Sequence, residues 1–421
     1  VLQTPRGTSD LLPTEQPYWN YVTAHFKSIC AAYGYGEIRT PVFEDTRLFQ
    51  RTVGEGTDIV EKEMYTFSDR GGDSLTLRPE GTAPVVRAYL EHGMHRLPQP
   101  VKLSYIASIF RYDRPQAGRL RQHHQFGVEA LGEEAATIDA EIISLLLQLY
   151  RSVGLSKTSL QLNSIGDAAC RPQYIEELAS YYRGHVHALC ENCQNRLKRN
   201  PLRLLDCKEE SCQPFIADAP HTMDNLCGDC DAHFSTLKRS LDAMGISYAL
   251  NHTLVRGLDY YTRTVFEVWP ETVGRQSALG GGGRYDGLAR HIGKRDVPGI
   301  GFGTGIERII LNLQRQEFTP DDQQPFGVYV ATLGEQAGIH GISLVQSLRE
   351  RGIRALMSYK ARSLKAQMRQ AGSHEAEYAV IIGDDELAQG QVLLRDLKSS
   401  TQEFVAEADL VPTLERLRAS D

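Results

Sequence analysis

Arg121-Gln122-His123-His124-Gln125-Phe126-Gly127-Val128-Glu129-Ala130-Leu131 alternates in character along its length. Successive side chains of a strand point to opposite faces. Phe126, Val128 and Ala130 then share one face, and Arg121, His123, Gln125, Gly127 and Glu129 share the other. Residues 101–112 read as a second strand. The stretch between, Asp113-Arg114-Pro115-Gln116-Ala117-Gly118-Arg119-Leu120, holds a proline and a glycine suited to a turn. An antiparallel hairpin follows. Its polar face has two readings. It is the solvated outer side of an antiparallel sheet, or it is a binding floor whose hydrogen-bonding groups sit on a rigid element. Arg111 and Arg119, close by in sequence, favour the floor.

Three further segments bear on that choice. Leu254-Val255-Arg256-Gly257-Leu258-Asp259-Tyr260-Tyr261 sets one arginine among apolar residues. A guanidinium stays protonated and is costly to bury without an anion. Either Asp259 supplies that anion as a structural pair, or a ligand does. Ala278-Leu279-Gly280-Gly281-Gly282-Gly283-Arg284-Tyr285-Asp286 lacks the spacing and the strand–helix context of a dinucleotide fingerprint. Glycines in a strand mark close approach of a ligand to the backbone; the bland reading is a flexible turn. Residues 297–311 read as a glycine-spaced strand entering a helix, with Arg308 near the helix start. That position opposes the helix dipole, and a phosphate or a π face would compensate. Otherwise Arg308 is an ordinary surface residue.

The rest of the chain sets the frame. Its 421 residues suffice for two or three domains. With 41% hydrophobic and 24% charged residues it reads as soluble and globular. No apolar run approaches the roughly 20 residues of a membrane span, and the start lacks a signal peptide's apolar centre. A cytoplasmic location is expected. A net charge of −7 argues against indiscriminate coating of nucleic acid but leaves room for a local basic face. Residues 14–33 have helical spacing and end at Gly34-Tyr35-Gly36. Residues 74–78 alternate like a strand. Thr82 is expected to cap the next helix, with Pro84 in its first turn. A strongly apolar helix covers 135–153. Residues 166–250 read as an insertion and hold seven of the eight cysteines. Strands resume at 264–269, and 318–325 is a polar, proline-bounded linker. Residues 326–421 alternate strand and helix as an α/β domain does.

In a reducing compartment those cysteines are thiols or metal ligands rather than disulfides. Cys190-x2-Cys193 and Cys227-x2-Cys230 have zinc-ribbon spacing within each pair, and together they are the expected structural zinc site. Cys207 and Cys212 offer a second combination with Cys190 and Cys193; a set of buried thiols is the bland alternative. Farther on, Arg349, Arg351, Arg354, Lys360, Arg362, Lys365 and Arg369 are interrupted by one acidic residue, Glu350. Such a stripe is either a nucleic-acid footprint or a solvated face.

Taken together, these segments resemble the class II aminoacyl-tRNA synthetases, and among them the histidyl-tRNA synthetase family, over nearly the whole chain. Residues 36–41 with the helix before them are similar to the first class II motif. Phe110-Arg111-Tyr112-Asp113-Arg114-Pro115-Gln116 through Gln125 is similar to the second, and residues 301–308 to the third. Residues 254–261 and 278–286 are similar to the two segments peculiar to the histidine enzymes, and Leu77-Arg78-Pro79-Glu80-Gly81-Thr82 fits as well. Asp113 stands where many members carry glutamate, which leaves the loop acidic.

The resemblance implies an α+β catalytic domain over 1–320 built on an antiparallel sheet, interrupted by the helical insertion at 166–250. A C-terminal α/β anticodon-binding domain follows at 326–421. It implies ATP with Mg2+, L-histidine and tRNA(His) as reactants, and a homodimer joined through the first motif. Arg256 and Arg111 would be catalytic. Glu80 and Thr82 would hold the α-ammonium group, Glu129 and Tyr261 would read the ring, and Gly81, Gln125 and Tyr260 would complete the histidine pocket. Arg111, Arg119 and Arg308 would bind ATP, and Arg114 and Gln116 the tRNA acceptor end. Three alternatives stay open. One is the non-catalytic regulatory paralogue of an ATP phosphoribosyltransferase, expected to lack the 254–261 segment and the last domain. The others are a class II synthetase for another amino acid and a zinc-dependent nucleic-acid-binding module.

Overall fold

The protein is described here from a computed structural model, for residues 1–54, 57, 59–114, 119–271, 278–321 and 326–420. Two compact units divide the chain, Val1–Pro320 and Asp321–Asp421.

The hairpin expected from sequence is the centre of the first unit. Val101–Phe110 and Gln122–Leu131 pair antiparallel, and the sheet continues through Gly299–Gly305, Gly280–Arg284, Thr262–Pro270 and Thr158–Ser164, all antiparallel. Short parallel strands, Gly36–Glu37 and Ala249–Leu250, close the two edges. Phe126, Val128 and Ala130 face a core made with Phe302 and two helices, Gln16–Ala32 and Ala136–Ser152. The first helix contributes Val22, Phe26, Ile29 and Cys30, spaced to fall on one side. The chain leaves it through Gly34, whose φ of +78° suits a residue without a Cβ.

The opposite face of the sheet is not solvated. Tyr105, Tyr260, Tyr261 and Tyr285 are buried there with Leu131 and Val265, and the helix Thr82–Glu91 adds Val85, Val86 and Tyr89. The outer-face reading of the hairpin therefore fails. The helix also corrects a detail. Its N-cap is Gly81, without a side-chain cap, and the Thr82 hydroxyl points elsewhere. The carboxylate of Glu80 instead accepts from the N–H groups of Thr82 (2.6 Å) and Ala83 (2.9 Å).

Two buried arginines hold the frame. Arg78 donates to the carbonyls of Thr40 and Ser108, tying the first-motif segment to the hairpin. Arg284, fully buried, pairs with Asp139 at 2.6 Å and with Asp286 at 3.0 Å. A buried cation is tolerable only with such partners.

The insertion has a small core of its own, built by Tyr174, Leu178, Tyr182, Leu204 and Ile216. Its last helix, Gly228–Ala243, instead packs Phe234, Leu237 and Leu241 into the catalytic core. In the second unit the strand order is Arg354–Met357, Gly327–Leu333, Tyr378–Gly383, Gln391–Asp396, Gln402–Ala406. The first three are parallel and the last two antiparallel.

Candidate active site

The polar hairpin face is a floor levelled by glycine. Glu129 lies opposite Gly301, Gly127 opposite Gly303, and Gln125 opposite Gly305. Gly303 is in turn opposite Gly281, which is opposite Glu267. A Cβ at Gly301 would stand 1.8 Å from Glu129 Oε2, one at Gly303 2.7 Å from Gln125 Nε2, and one at Gly127 2.1 Å from the Tyr105 ring. Bare backbone thus lets the neighbouring side chains lie across it. The glycine run obeys the same rule. A Cβ at Gly282 would meet the Gly301 carbonyl at 1.9 Å, and one at Gly283 the Thr264 carbonyl at 2.4 Å. Adjoining strands approach Gly282 and Gly283 closely, and Gly280 and Gly281 border a cleft. The flexible-turn reading fails, because Gly280–Arg284 is a buried strand.

At one end of the floor stands Glu129, with no exposed surface. Its Oε1 accepts from the Thr82 hydroxyl at 2.8 Å and the Tyr105 hydroxyl at 3.2 Å, and its Oε2 accepts from the Tyr285 hydroxyl. Burial pushes its pKa up to about 8, against the pull of these donors. Glu80, Tyr260 and Tyr261 are buried nearby; the two tyrosine rings lie 4.7 Å apart, and Tyr260 meets Tyr285 edge-on. Sequence reasoning missed Tyr105 and Tyr285 as partners of Glu129. A signal existed for Tyr105, since the alternation of the outgoing strand puts it on the Gly127 side of the hairpin. For Tyr285, 156 residues from Glu129 in the chain, the signal was its place in the 278–286 segment, which carried no indication of its partner.

At the other end the floor opens into a cleft of about 910 Å³. Arg111 and Arg119 reach it from the hairpin connection, Arg256 from the segment before Thr262–Pro270 and Arg308 from Ile306–Arg315, together with Gln125 and Glu267. Arg111 is aimed by its Nε, which donates to the Pro79 carbonyl at 2.7 Å. Arg308 donates to the Ala278 carbonyl at 2.6 Å. Burial disfavours the charge on both, although a guanidinium keeps its proton. Arg119, half exposed, pairs with Asp113 at 2.5 Å. His123 is held neutral: burial and the charges of Arg111 and Arg308 push its pKa down to about 3.

Arg256 is partnered otherwise than expected. Its guanidinium pairs with Glu267, not with Asp259, and also donates to the Gly281 carbonyl at 3.4 Å. Burial works against its charge, but Glu267 outweighs that and raises its pKa. Its Nε is buried with no hydrogen-bond partner among the described residues. Asp259 turns the other way and accepts from Asn200 of the insertion at 2.9 Å. The sequence could not separate the two carboxylates, because Glu267 becomes a neighbour only when Thr262–Pro270 joins the sheet.

Of the two residues assigned to the tRNA acceptor end, Arg114 is exposed, with its N–H on Asp113 at 2.7 Å. Gln116 lies outside the described residues.

The expected zinc quartet is not brought together. Cys190 and Cys193 gather with Cys207 and Cys212, and their four sulfurs lie within 4.8 Å of one another. Cys227 and Cys230 belong to a second group with Cys170 and Asp167. The cause is where the pairs are mounted. Cys190 and Cys193 flank the start of Glu191–Arg199 in the insertion's own core, while Cys227 and Cys230 open the helix that packs into the catalytic core.

Comparison with known proteins adds the lineage. The sequence model of the family described as histidyl-tRNA synthetase matches residues 7–309, and that of the anticodon binding domain matches residues 327–417. A protein of Dehalococcoides mccartyi named histidine–tRNA ligase is 54% identical over 411 residues, covering 98% of each chain. One of the same name from Desulforudis audaxviator is 52% identical over 418 residues, covering 99% of each. Among solved structures, the apo histidyl-tRNA synthetase of S. aureus has a TM-score of 0.82 at 38% identity, covering 98% of this chain and 100% of that one. A Bacillus halodurans protein described as an ATP phosphoribosyltransferase regulatory subunit/histidyl-tRNA synthetase shares the fold. Its TM-score is 0.64 at 22% identity, covering 90% of this chain and 97% of that one.

Proposed function

Because the chain belongs to the histidyl-tRNA synthetase family, we propose how its cleft residues divide the family's reaction among themselves. The chain is an enzyme that ligates L-histidine to tRNA(His), first forming histidyl-adenylate from ATP and then transferring the histidyl group. The observation that carries the assignment of roles is the convergence of arginines, Arg111, Arg119, Arg256 and Arg308 among them, on one end of a floor whose other end is a buried carboxylate.

In the first step a carboxylate oxygen of histidine attacks the α-phosphorus of ATP and pyrophosphate leaves. Negative charge spreads around phosphorus in the transition state, and cations fixed in advance stabilise it most. Arg111 and Arg256 serve there, since both border the cleft. Arg308 and Arg119 hold the adenine and the outer phosphates, which Mg2+ accompanies. His123, being neutral, adds a hydrogen-bonding group without further charge. Glu80 and Thr82 receive the α-ammonium group, and Gly81, Gln125 and Tyr260 close the pocket. Glu129 and Tyr261 read the imidazole. When ionised, a carboxylate accepts about four hydrogen bonds. Thr82, Tyr105 and Tyr285 occupy three, leaving one for a ring N–H.

Arg114 and Gln116 meet the acceptor end of the tRNA, and residues 326–421 its anticodon region. Within that unit Arg349 and Arg354 donate to backbone carbonyls of their own fold, and Arg351 lies 3.8 Å from Glu415. Lys360, Arg362, Lys365 and Arg369 stay exposed beside Tyr359, which is 81% exposed. Basic groups beside a bare aromatic ring suit a single-stranded loop with unstacked bases.

The enzyme works as a homodimer in the cytoplasm. The apolar side of Gln16–Ala32 is consumed inside the protomer. Val42, Phe43 and Phe67 are exposed instead, with the two phenylalanine rings 6.4 Å apart. A second copy covers them; sedimentation showing only a 47 kDa species at micromolar concentration would remove the dimer. Cys190, Cys193, Cys207 and Cys212 hold one structural zinc ion. Four converging sulfur ligands are the donor set of a closed zinc site.

The enzymatic reading is tested by histidine-dependent exchange of pyrophosphate into ATP. Exchange without histidine, or none at all, would favour a binding protein of the same fold.

A further inference from the structure

We infer that a second metal ion, held by Asp167, Cys170, Cys227 and Cys230, clips the entry of the insertion to the insertion's last helix. Their ligand atoms all lie within 4.8 Å of one another. Cys170 Sγ is 3.8 Å from Cys230 Sγ and 3.7 Å from Asp167 Oδ1, and Cys227 Sγ is 4.0 Å from the same oxygen. Zinc at about 2.3 Å from sulfur and about 2.0 Å from oxygen demands tetrahedral edges of about 3.8 Å and about 3.5 Å. The observed spacings are close to those edges. The cysteines are free thiols.

Local backbone is shaped to this convergence. Gly166 has a φ of +64°, and a Cβ there would stand 2.7 Å from Cys170 Sγ. A side chain at this position would collide with the ligand. Cys170 is the N-cap of Arg171–Arg183, and Cys227 is the N-cap of Gly228–Ala243. Helix N-termini favour the thiolate form that binds metal. The other oxygen of Asp167 takes the guanidinium of Arg263 at 3.2 Å. Arg171, next to Cys170, donates to the carbonyl of Tyr261 at 2.7 Å. The ion therefore closes a loop of 60 residues between Cys170 and Cys230 and braces the backbone of a histidine-pocket residue. This site shares no ligand with the four-thiolate site, so each stands or falls separately. Zn2+ suits the donor set of three thiolates and one carboxylate.

The test is metal analysis of the full-length enzyme, purified from zinc-supplied cells without chelator, with Cys170→Ser, Cys227→Ser and Cys193→Ser alongside. Two zinc ions per chain are expected, one lost in Cys170→Ser and in Cys227→Ser, the other lost in Cys193→Ser. A count of one that Cys193→Ser abolishes and Cys170→Ser leaves intact overturns this site and spares the first. A count of one with the opposite response supports this site and removes the first. Where a variant does not fold, cobalt substitution of the unmutated enzyme decides. Two Co2+ per chain with two distinct thiolate charge-transfer bands support the proposal, and a single four-sulfur spectrum overturns it.

Discussion

Replacing Glu129 by glutamine removes an ionisable acceptor while nearly keeping shape, and it separates ring recognition from the rest of the cleft. Three hydroxyls point at the carboxylate, and one acceptor position remains for an imidazole N–H. In glutamine one oxygen becomes an NH2 group, so the hydroxyl that faced it must turn and the substrate loses an acceptor. Leaving a buried polar group without its partner costs about 1–3 kcal/mol. At about 1.4 kcal/mol per tenfold, kcat/KM for histidine should fall roughly 5–150-fold. Glu129 does not border the arginine-lined cleft, so the KM for ATP should stay within about twofold of its original value. Sites that hydrogen-bond a polar substrate group reject analogues lacking it by roughly 10⁴–10⁵, and that margin should narrow toward phenylalanine-like analogues. The assay is pyrophosphate exchange with each substrate varied in turn. Undiminished discrimination, or a larger effect on ATP than on histidine, would refute the assignment of Glu129 to the ring.

Arg256→Ala should lower kcat for adenylate formation by about 10²–10³, the loss typical of one transition-state donor, with little change in histidine affinity; near-normal turnover removes Arg256 from the mechanism. Stability should also report on Glu129. Burial holds its folded pKa at about 8 against an ordinary 4.5, so the folded state binds the extra proton between these values and Glu129 makes stability decline as pH rises through that window. The Tm of Glu129→Gln relative to the original enzyme should therefore climb from about pH 4.5 to 8, and a flat difference would show that Glu129 ionises normally. Gly301→Ala sets a methyl against the Val128 carbonyl and the Glu129 carboxylate; over-packing of about 1–3 kcal/mol should appear in denaturant melts with a raised KM for histidine, and wild-type values for both would mean the floor can yield. Reversing charge at Lys360 and Arg362 should weaken tRNA charging and flatten its salt dependence while pyrophosphate exchange persists; unchanged charging would exclude that surface.

What sequence alone determined was periodic and local. Alternation in 121–131 located a strand and sorted its faces, because a strand's side-chain period of two holds wherever the chain is extended. Spacing marked the helices near 16–32 and 136–152, and glycine spacing marked the strand 299–305, while the run at 280–283 stayed open between strand and turn until the sheet formed around it. The resemblance carried by residues 77–82, 110–125, 254–261, 278–286 and 301–308 then named the chemistry. Partnership was beyond it. Arg256 had Asp259 three positions away and took Glu267, eleven away, because Thr262–Pro270 turns back to lie beside Gly280–Arg284. Glu129 drew its hydroxyl donors from 24, 47 and 156 residues away, which no window along the chain contains. The cysteine pairs had equal spacing, so only the folding of the insertion could decide that one pair closes with Cys207 and Cys212 and the other with Cys170 and Asp167. Spacing of two constrains ligands within a pair; which pairs meet depends on the core that each pair's helix joins.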